Sequence, residues 1–84
     1  MSLVLRFLPG ESVAIDGVRF GIEFDPPALT RLDHPTTQLG ADPASPLPDV
    51  EVRLAPRQSP GYLAVAFRAP RNVLILRECA EDVL

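Results

Sequence analysis

Val18-Arg19-Phe20-Gly21-Ile22-Glu23-Phe24 alternates without a fault. Val18, Phe20, Ile22 and Phe24 fall on one face and Arg19, Gly21 and Glu23 on the other, the period of two that marks a half-buried β-strand. Immediately before it stands Asp16-Gly17, a dipeptide that readily takes the positive φ angles of a type I′ turn, and before that the short apolar run Ser12-Val13-Ala14-Ile15. Two strands around such a dipeptide predict a tight antiparallel hairpin.

The same period recurs on either side. Leu3-Val4-Leu5-Arg6-Phe7-Leu8 is a first strand stopped by Pro9-Gly10. Val50, Val52 and Leu54 alternate with Glu51 and Arg53, and Leu63, Val65 and Phe67 with Ala64, Ala66 and Arg68. Asn72-Val73-Leu74-Ile75-Leu76-Arg77 reads as a last strand, apolar on both faces through its middle, and residues 78–84 as a short helical tail. The expected fold is therefore all-β: a small antiparallel sheet of five or six strands with a C-terminal helical tail.

Eighty-four residues make one domain, 1–84, and ten prolines exclude a helical bundle. Asp25-Pro26-Pro27 ends the cleanest strand, and Pro35, Pro43, Pro46 and Pro48 follow in a polar stretch with no sustained period. Residues 25–49 are accordingly expected as an inserted, acidic, proline-rich surface loop, with at most one helical turn around Ala28 to Leu32. Loops of that length in a compact domain are usually functional or mobile.

The single cysteine, Cys79, cannot form an internal disulfide, and one histidine supplies no metal site. No metal or cofactor is expected. No run approaches the roughly 20 apolar residues of a membrane helix. The apolar start, interrupted by Arg6, lacks the pattern of a secretory signal, which predicts a cytoplasmic protein.

The formal net charge of −3 is unevenly spread. Residues 25–49 hold four aspartates (Asp25, Asp33, Asp42, Asp49) against Arg31, and the remaining arginines and carboxylates balance. All eight basic residues are arginine, whose planar fork of donors suits phosphates, guanine edges and stacking on bases. A compositional bias explains that arginine content equally well.

The two ends of the chain together resemble the carbon storage regulator family (CsrA and RsmA), small bacterial post-transcriptional RNA-binding proteins. Leu3-Val4-Leu5 followed by Pro9-Gly10-Glu11-Ser12 and Ile15 looks like that family's first strand, Pro-Gly-Glu turn and second strand. The run from Val65 to Glu78, with Ala69-Pro70, Val73 and Arg77-Glu78, is similar to its fourth strand, Ala-Pro turn and fifth strand. The likeness covers about half the chain. Residues 25–49 are extra material, and either the strand at Val18 or the one at Val50 to Leu54 takes the family's third position. The basic residue usual near the end of the first strand is replaced by Phe7 and Leu8, with Arg6 one place early.

The resemblance implies a strand-interleaved homodimer in which Leu3, Phe7, Val73 and Ile75 are buried between chains. A monomeric sandwich would place the same residues in its own core. It also implies binding of GGA-containing single-stranded or hairpin-loop mRNA near a ribosome-binding site, controlling translation or message stability, with small regulatory RNA as a further partner. On that reading Arg77 is the chief contact, Arg71 and Arg6 support it, and Leu5 packs beneath. Each has a plainer explanation: Arg77 as a strand-end surface charge, Arg71 as a solvated turn residue, Arg6 as the partner of Glu11 or Glu78.

Catalysis is not expected. The only histidine, His34, lies in the proline-rich segment and Cys79 near the far end, so no base and nucleophile are paired in the pattern. The competing class is a non-enzymatic protein-interaction role, in which residues 25–49 engage a protein partner or fold over the arginine edge as a mimic of RNA.

Overall fold

The computed structural model of the chain describes residues 2–78. Nine strands form two antiparallel sheets, and no helix occurs among the described residues. In chain order the strands are β1 (Ser2–Phe7), β2 (Ser12–Ile15), β3 (Val18–Phe24), β4 (Pro27–Thr30), β5 (Thr37–Gln38), β6 (Ala44–Leu47), β7 (Val50–Leu54), β8 (Leu63–Arg68) and β9 (Ile75–Glu78). The four-stranded sheet has the order β1-β8-β7-β6 and the five-stranded sheet the order β5-β4-β3-β2-β9.

The β2–β3 hairpin forms as the sequence predicts. Ile15 pairs with Val18 across Asp16 (φ 53°) and Gly17 (φ 81°), the two positive angles of a type I′ turn. The inward residues of each strand meet in one core: Phe7, Val13, Ile15, Phe20, Leu29, Val50, Val52, Val65 and Phe67 are almost wholly buried. Phe7 and Phe67 pack edge to face with ring centroids 6.4 Å apart, joining the two strands whose pairing closes the chain's first and last thirds.

Residues 25–49 do not form a structureless loop. They supply β4, β5 and β6, and the Ala28–Leu32 stretch expected as a helical turn is largely strand β4. Proline is tolerated in these strands because of where it stands. Pro27 opens β4, and Pro46 lies in β6, the outer strand of its sheet, where the register with β7 shifts between Ala44 and Leu47. The β3–β4 turn is Asp25-Pro26, whose peptide bond is cis. Between β5 and β6 the chain stitches the two sheets together. The Leu39 amide donates to the Pro27 carbonyl of one sheet (3.0 Å), and the Gly40 carbonyl accepts from the Leu54 amide of the other (2.8 Å).

The last strand begins later than expected: β9 covers Ile75–Glu78, and Val73 closes a turn by donating its amide to the Pro70 carbonyl. Of the tail expected over 78–84, Glu78 belongs to β9 and residues 79–84, Cys79 among them, lie outside the described residues. No helix among the described residues is long and apolar enough to cross a membrane.

The pairings that the resemblance would give to a partner are both made within the chain, β1 with β8 and β9 with β2. Phe7 and Ile75 are buried in the chain's own core, and Leu3 and Val73 pack against it partly buried. The four residues expected between subunits thus already have an apolar environment in one protomer.

Candidate nucleic-acid interface

The two sheets meet edge to edge on both sides of the molecule. On one side β1 and β9, the outer strands of their sheets, are bridged by Arg77, whose Nη1 donates to the carbonyl oxygen of Arg6 at 2.7 Å. Register explains the reach. Arg77 pairs with Val13, and Ile75 with Ile15, so Arg77 shares the inward face of β9 but stands at its open end. An inward arginine at a sheet edge has only one way to keep its charge hydrated, which is to run out along that edge, and both Arg77 and Arg6 are exposed. The side chain of Arg77 therefore reaches the main chain of Arg6, while the Arg6 side chain itself stands on the outer face of β1.

The other expected contacts fall elsewhere. Leu5 pairs with Val65 on the inward face and packs partly buried against the core, so it supports β1 mainly from within. Arg71 is exposed in the turn between β8 and β9, beyond the Ser2–Arg68 end of the four-stranded sheet, whereas Arg6 and Arg77 lie near the Phe7 end. Arg71 is not part of their cluster. Arg6 does not take Glu78, whose Oε1 accepts instead from Arg19 Nε at 2.6 Å across the outer face of the five-stranded sheet. Glu11 Oε1 accepts from the Leu8 amide at 2.7 Å and holds the turn between β1 and β2.

The acidic segment lies along the opposite side. It forms β4 and β5 at the far edge of the five-stranded sheet and β6 at the far edge of the four-stranded one. At about 4.8 Å per strand, β5 is some 19 Å across the sheet from β9, and β6 some 14 Å from β1. Asp25, Asp33, Asp42 and Asp49 are all exposed. Residues 25–49 thus do not fold over Arg77, and the RNA-mimic arrangement, in which they would cover it, is not the one adopted.

Sequence reasoning missed a second group of arginines. The outer face of the four-stranded sheet carries Ser2, Arg68 and Glu51 in one cross-strand row, Val4, Ala66 and Arg53 in the next, and Arg6 with Ala64 in a third. Arg6, Arg53 and Arg68 thereby surround a small apolar floor. Among the described residues none of the three has a carboxylate within ion-pair distance. The alternation of β7 and β8 already put Arg53 and Arg68 on polar faces; only the strand order shows that those faces are one.

His34, the lone histidine, packs edge to face on Phe20 with centroids 6.2 Å apart. The described residues contain no group of three metal-ligating side chains.

No family model, curated protein or solved structure matches the chain.

Proposed function

We propose that the protein binds single-stranded RNA at the edge where β1 meets β9, with Arg77 as the principal contact and Arg6 beside it. The observation that supports this reading is the exposed Arg77 side chain bridging to the main chain of Arg6, itself exposed on the outer strand β1, at the edge opposite the acidic segment. A guanidinium has five donors, and the bond to the Arg6 carbonyl uses one nitrogen, leaving the rest of the fork for phosphate oxygens or a base edge. Unpaired bases in a loop expose the edges such a fork reads.

From the resemblance at the two ends of the chain come the finer features. The RNA has a GGA core, in a single strand or hairpin loop near a ribosome-binding site, and binding controls translation or message lifetime in the cytoplasm. The same resemblance gives a homodimer: β1–β8 and β2–β9 pairs made between two copies in place of within one would generate it without changing either register. Two sites per dimer would engage one message bivalently, and small regulatory RNA with repeated motifs would compete.

The test is titration of a labelled GGA hairpin against the wild-type chain and Arg77→Ala at several salt concentrations. Wild-type affinity should fall steeply with salt. Arg77→Ala should bind about 5- to 150-fold more weakly, the ~1–3 kcal/mol of one good base or phosphate contact. Equal affinity of the two proteins, or salt-insensitive binding, refutes the reading.

A second reading has its own observation, the row of exposed aspartates along the β4–β5–β6 side. That side suits a basic protein surface, and the chain would then act as a non-enzymatic interaction partner or mixed-dimer antagonist of an RNA-binding regulator. Failure of the hairpin to bind, together with salt-sensitive capture of a basic protein that is lost on changing Asp42 and Asp49 to Asn, would favour it.

A further inference from the structure

The outer face of the four-stranded sheet is not required by the edge site, yet it has the features of a ligand seat. Val4 and Ala66 form its floor, Arg53 and Arg68 flank the floor diagonally across β7 and β8, and Pro43 and Pro56 stand at its margin. The groove between them encloses about 300 Å³, at the small end of the range for ligand pockets, which matches a single ring-bearing unit and not a duplex. Val4 is half exposed, so an apolar side chain is held at the surface in the middle of a cationic face. Arg6 lies on the same face one row further along β1, outside the groove itself, and its carbonyl holds Arg77 at the β1–β9 edge.

We propose that this groove seats one nucleotide of the bound RNA strand, with its phosphate on Arg53 and Arg68 and its base lying flat on Val4 and Ala66. The inference rests on the RNA-binding reading and extends its footprint from the sheet edge onto the sheet face.

Charge and shape select the occupant. Arg53 and Arg68 against Glu51 leave the groove net positive, with Arg6 one row away, and guanidinium planes pair bidentately with phosphate and stack on bases. Glu51 stands opposite Arg68 in the same row. Its carboxylate repels a bare polyanion but accepts from an exocyclic amino group, as acidic side chains accept from cytosine N4. A flat apolar floor suits a base and is wasted on inorganic phosphate.

The test uses the full chain with four probes: a six-nucleotide single-stranded RNA containing GGA, adenosine monophosphate, inorganic phosphate and a glutamate-rich peptide. Backbone amide shifts of Val4 and Ala66 report the groove, and those of Leu76 and Arg77 report the edge. The RNA should move both sets. Arg53→Gln/Arg68→Gln should weaken RNA binding about tenfold or more, abolish the shifts at Val4 and Ala66 and keep those at Leu76 and Arg77. Arg31→Gln, a charge change on the acidic side, should weaken it far less.

If the RNA binds but moves only Leu76 and Arg77, and the double variant binds no worse than Arg31→Gln, the groove is overturned and the edge reading stands. If no RNA binds the wild-type chain, the edge reading fails. Shifts at Val4 and Ala66 with adenosine monophosphate but not with phosphate would then still establish a nucleotide seat, and their absence overturns it. Equal occupation by the glutamate-rich peptide overturns the assignment to a nucleotide.

Discussion

Gln58 replaces a missing strand with its side chain. The β7–β8 ladder ends at the pair Leu54–Val65, one residue short of Ala64, which is buried on the central strand β8. The Gln58 carboxamide occupies that place. Its Nε2 donates to the Ala64 carbonyl (2.8 Å) and the Ala55 carbonyl (2.9 Å), and its Oε1 accepts from the Ala64 amide (2.9 Å). The donor and acceptor thus face Ala64 as a neighbouring peptide group would. Gln58→Ala removes all three bonds and leaves a buried amide on β8 without its partner. Three bonds at about 1 kcal/mol each set an upper figure near 3 kcal/mol. The Ala55 amide still donates to the Ala64 carbonyl, and water reaches the exposed loop, so the expected loss is about 2 kcal/mol. In a domain of this size that lowers the thermal midpoint by roughly 8–16 °C. Gln58→Glu discriminates the mechanism, because a carboxylate accepts from the Ala64 amide but faces two carbonyls it cannot donate to; it should be no more stable than the alanine variant. The assays are denaturant unfolding and hydrogen exchange at the Ala64 amide, which should lose protection selectively. A Gln58→Ala variant within about 0.5 kcal/mol of the wild type, or one whose Ala64 amide stays protected, refutes the idea of a side chain completing the ladder.

Further perturbations probe the core, the hairpin, the surface and the assembly. Phe67→Ala deletes a buried ring packed on Phe7 and should cost about 3–5 kcal/mol, read as a shift in the denaturant midpoint. That is a large share of the ~4–13 kcal/mol available to a chain of this length. Gly17→Ala places a Cβ on a residue with φ +81°; open space surrounds it, so the cost should be conformational alone, about 1–2 kcal/mol by thermal unfolding. Arg19→Ala breaks an ion pair whose arginine is 71% exposed, and should change stability by no more than about 1 kcal/mol. Sedimentation equilibrium should return twice the 9.1 kDa chain mass for the proposed exchanged dimer, and a mass of 9.1 kDa at every concentration contradicts it.

The strands legible in the sequence are those whose two faces differ. β3, β7 and β8 alternate apolar with polar or small residues, and Asp16-Gly17 announces its own turn, so their limits and facing hold residue by residue. The strands of 25–49 were hidden by their shortness and by proline. A two-residue strand such as β5 has no period to detect, and Pro46 argues against a strand unless one knows that β6 is an outer strand. The candidate site divides along the same line. Arg6 and Arg77 are singled out together through a resemblance, and the structure brings the Arg77 side chain to the main chain of Arg6. The same resemblance groups Arg71 with them, as the residue after the Ala-Pro turn, but β9 carries the chain from one end of the edge to the other between Arg71 and Arg77. Arg53 and Arg68 were each recognisable as outward-facing, yet nothing local to either says that β7 lies beside β8.

The placement of β4, β5 and β6 along one side also bears on how a net-negative molecule meets a polyanion. Its excess of negative charge sits in residues 25–49, at the β5 and β6 ends of the two sheets, while elsewhere arginines and carboxylates are mixed, across a body whose principal extents are 32, 28 and 23 Å. The Debye length at physiological ionic strength is about 8 Å. A phosphate approaching the β1–β9 flank would therefore sense Arg6 and Arg77 with Glu11 and Glu78 beside them, and the aspartates of residues 25–49 only in dilute buffer. Under the proposed function, the acidic side would act as an orienting device, turning that side of the molecule away from a nucleic acid.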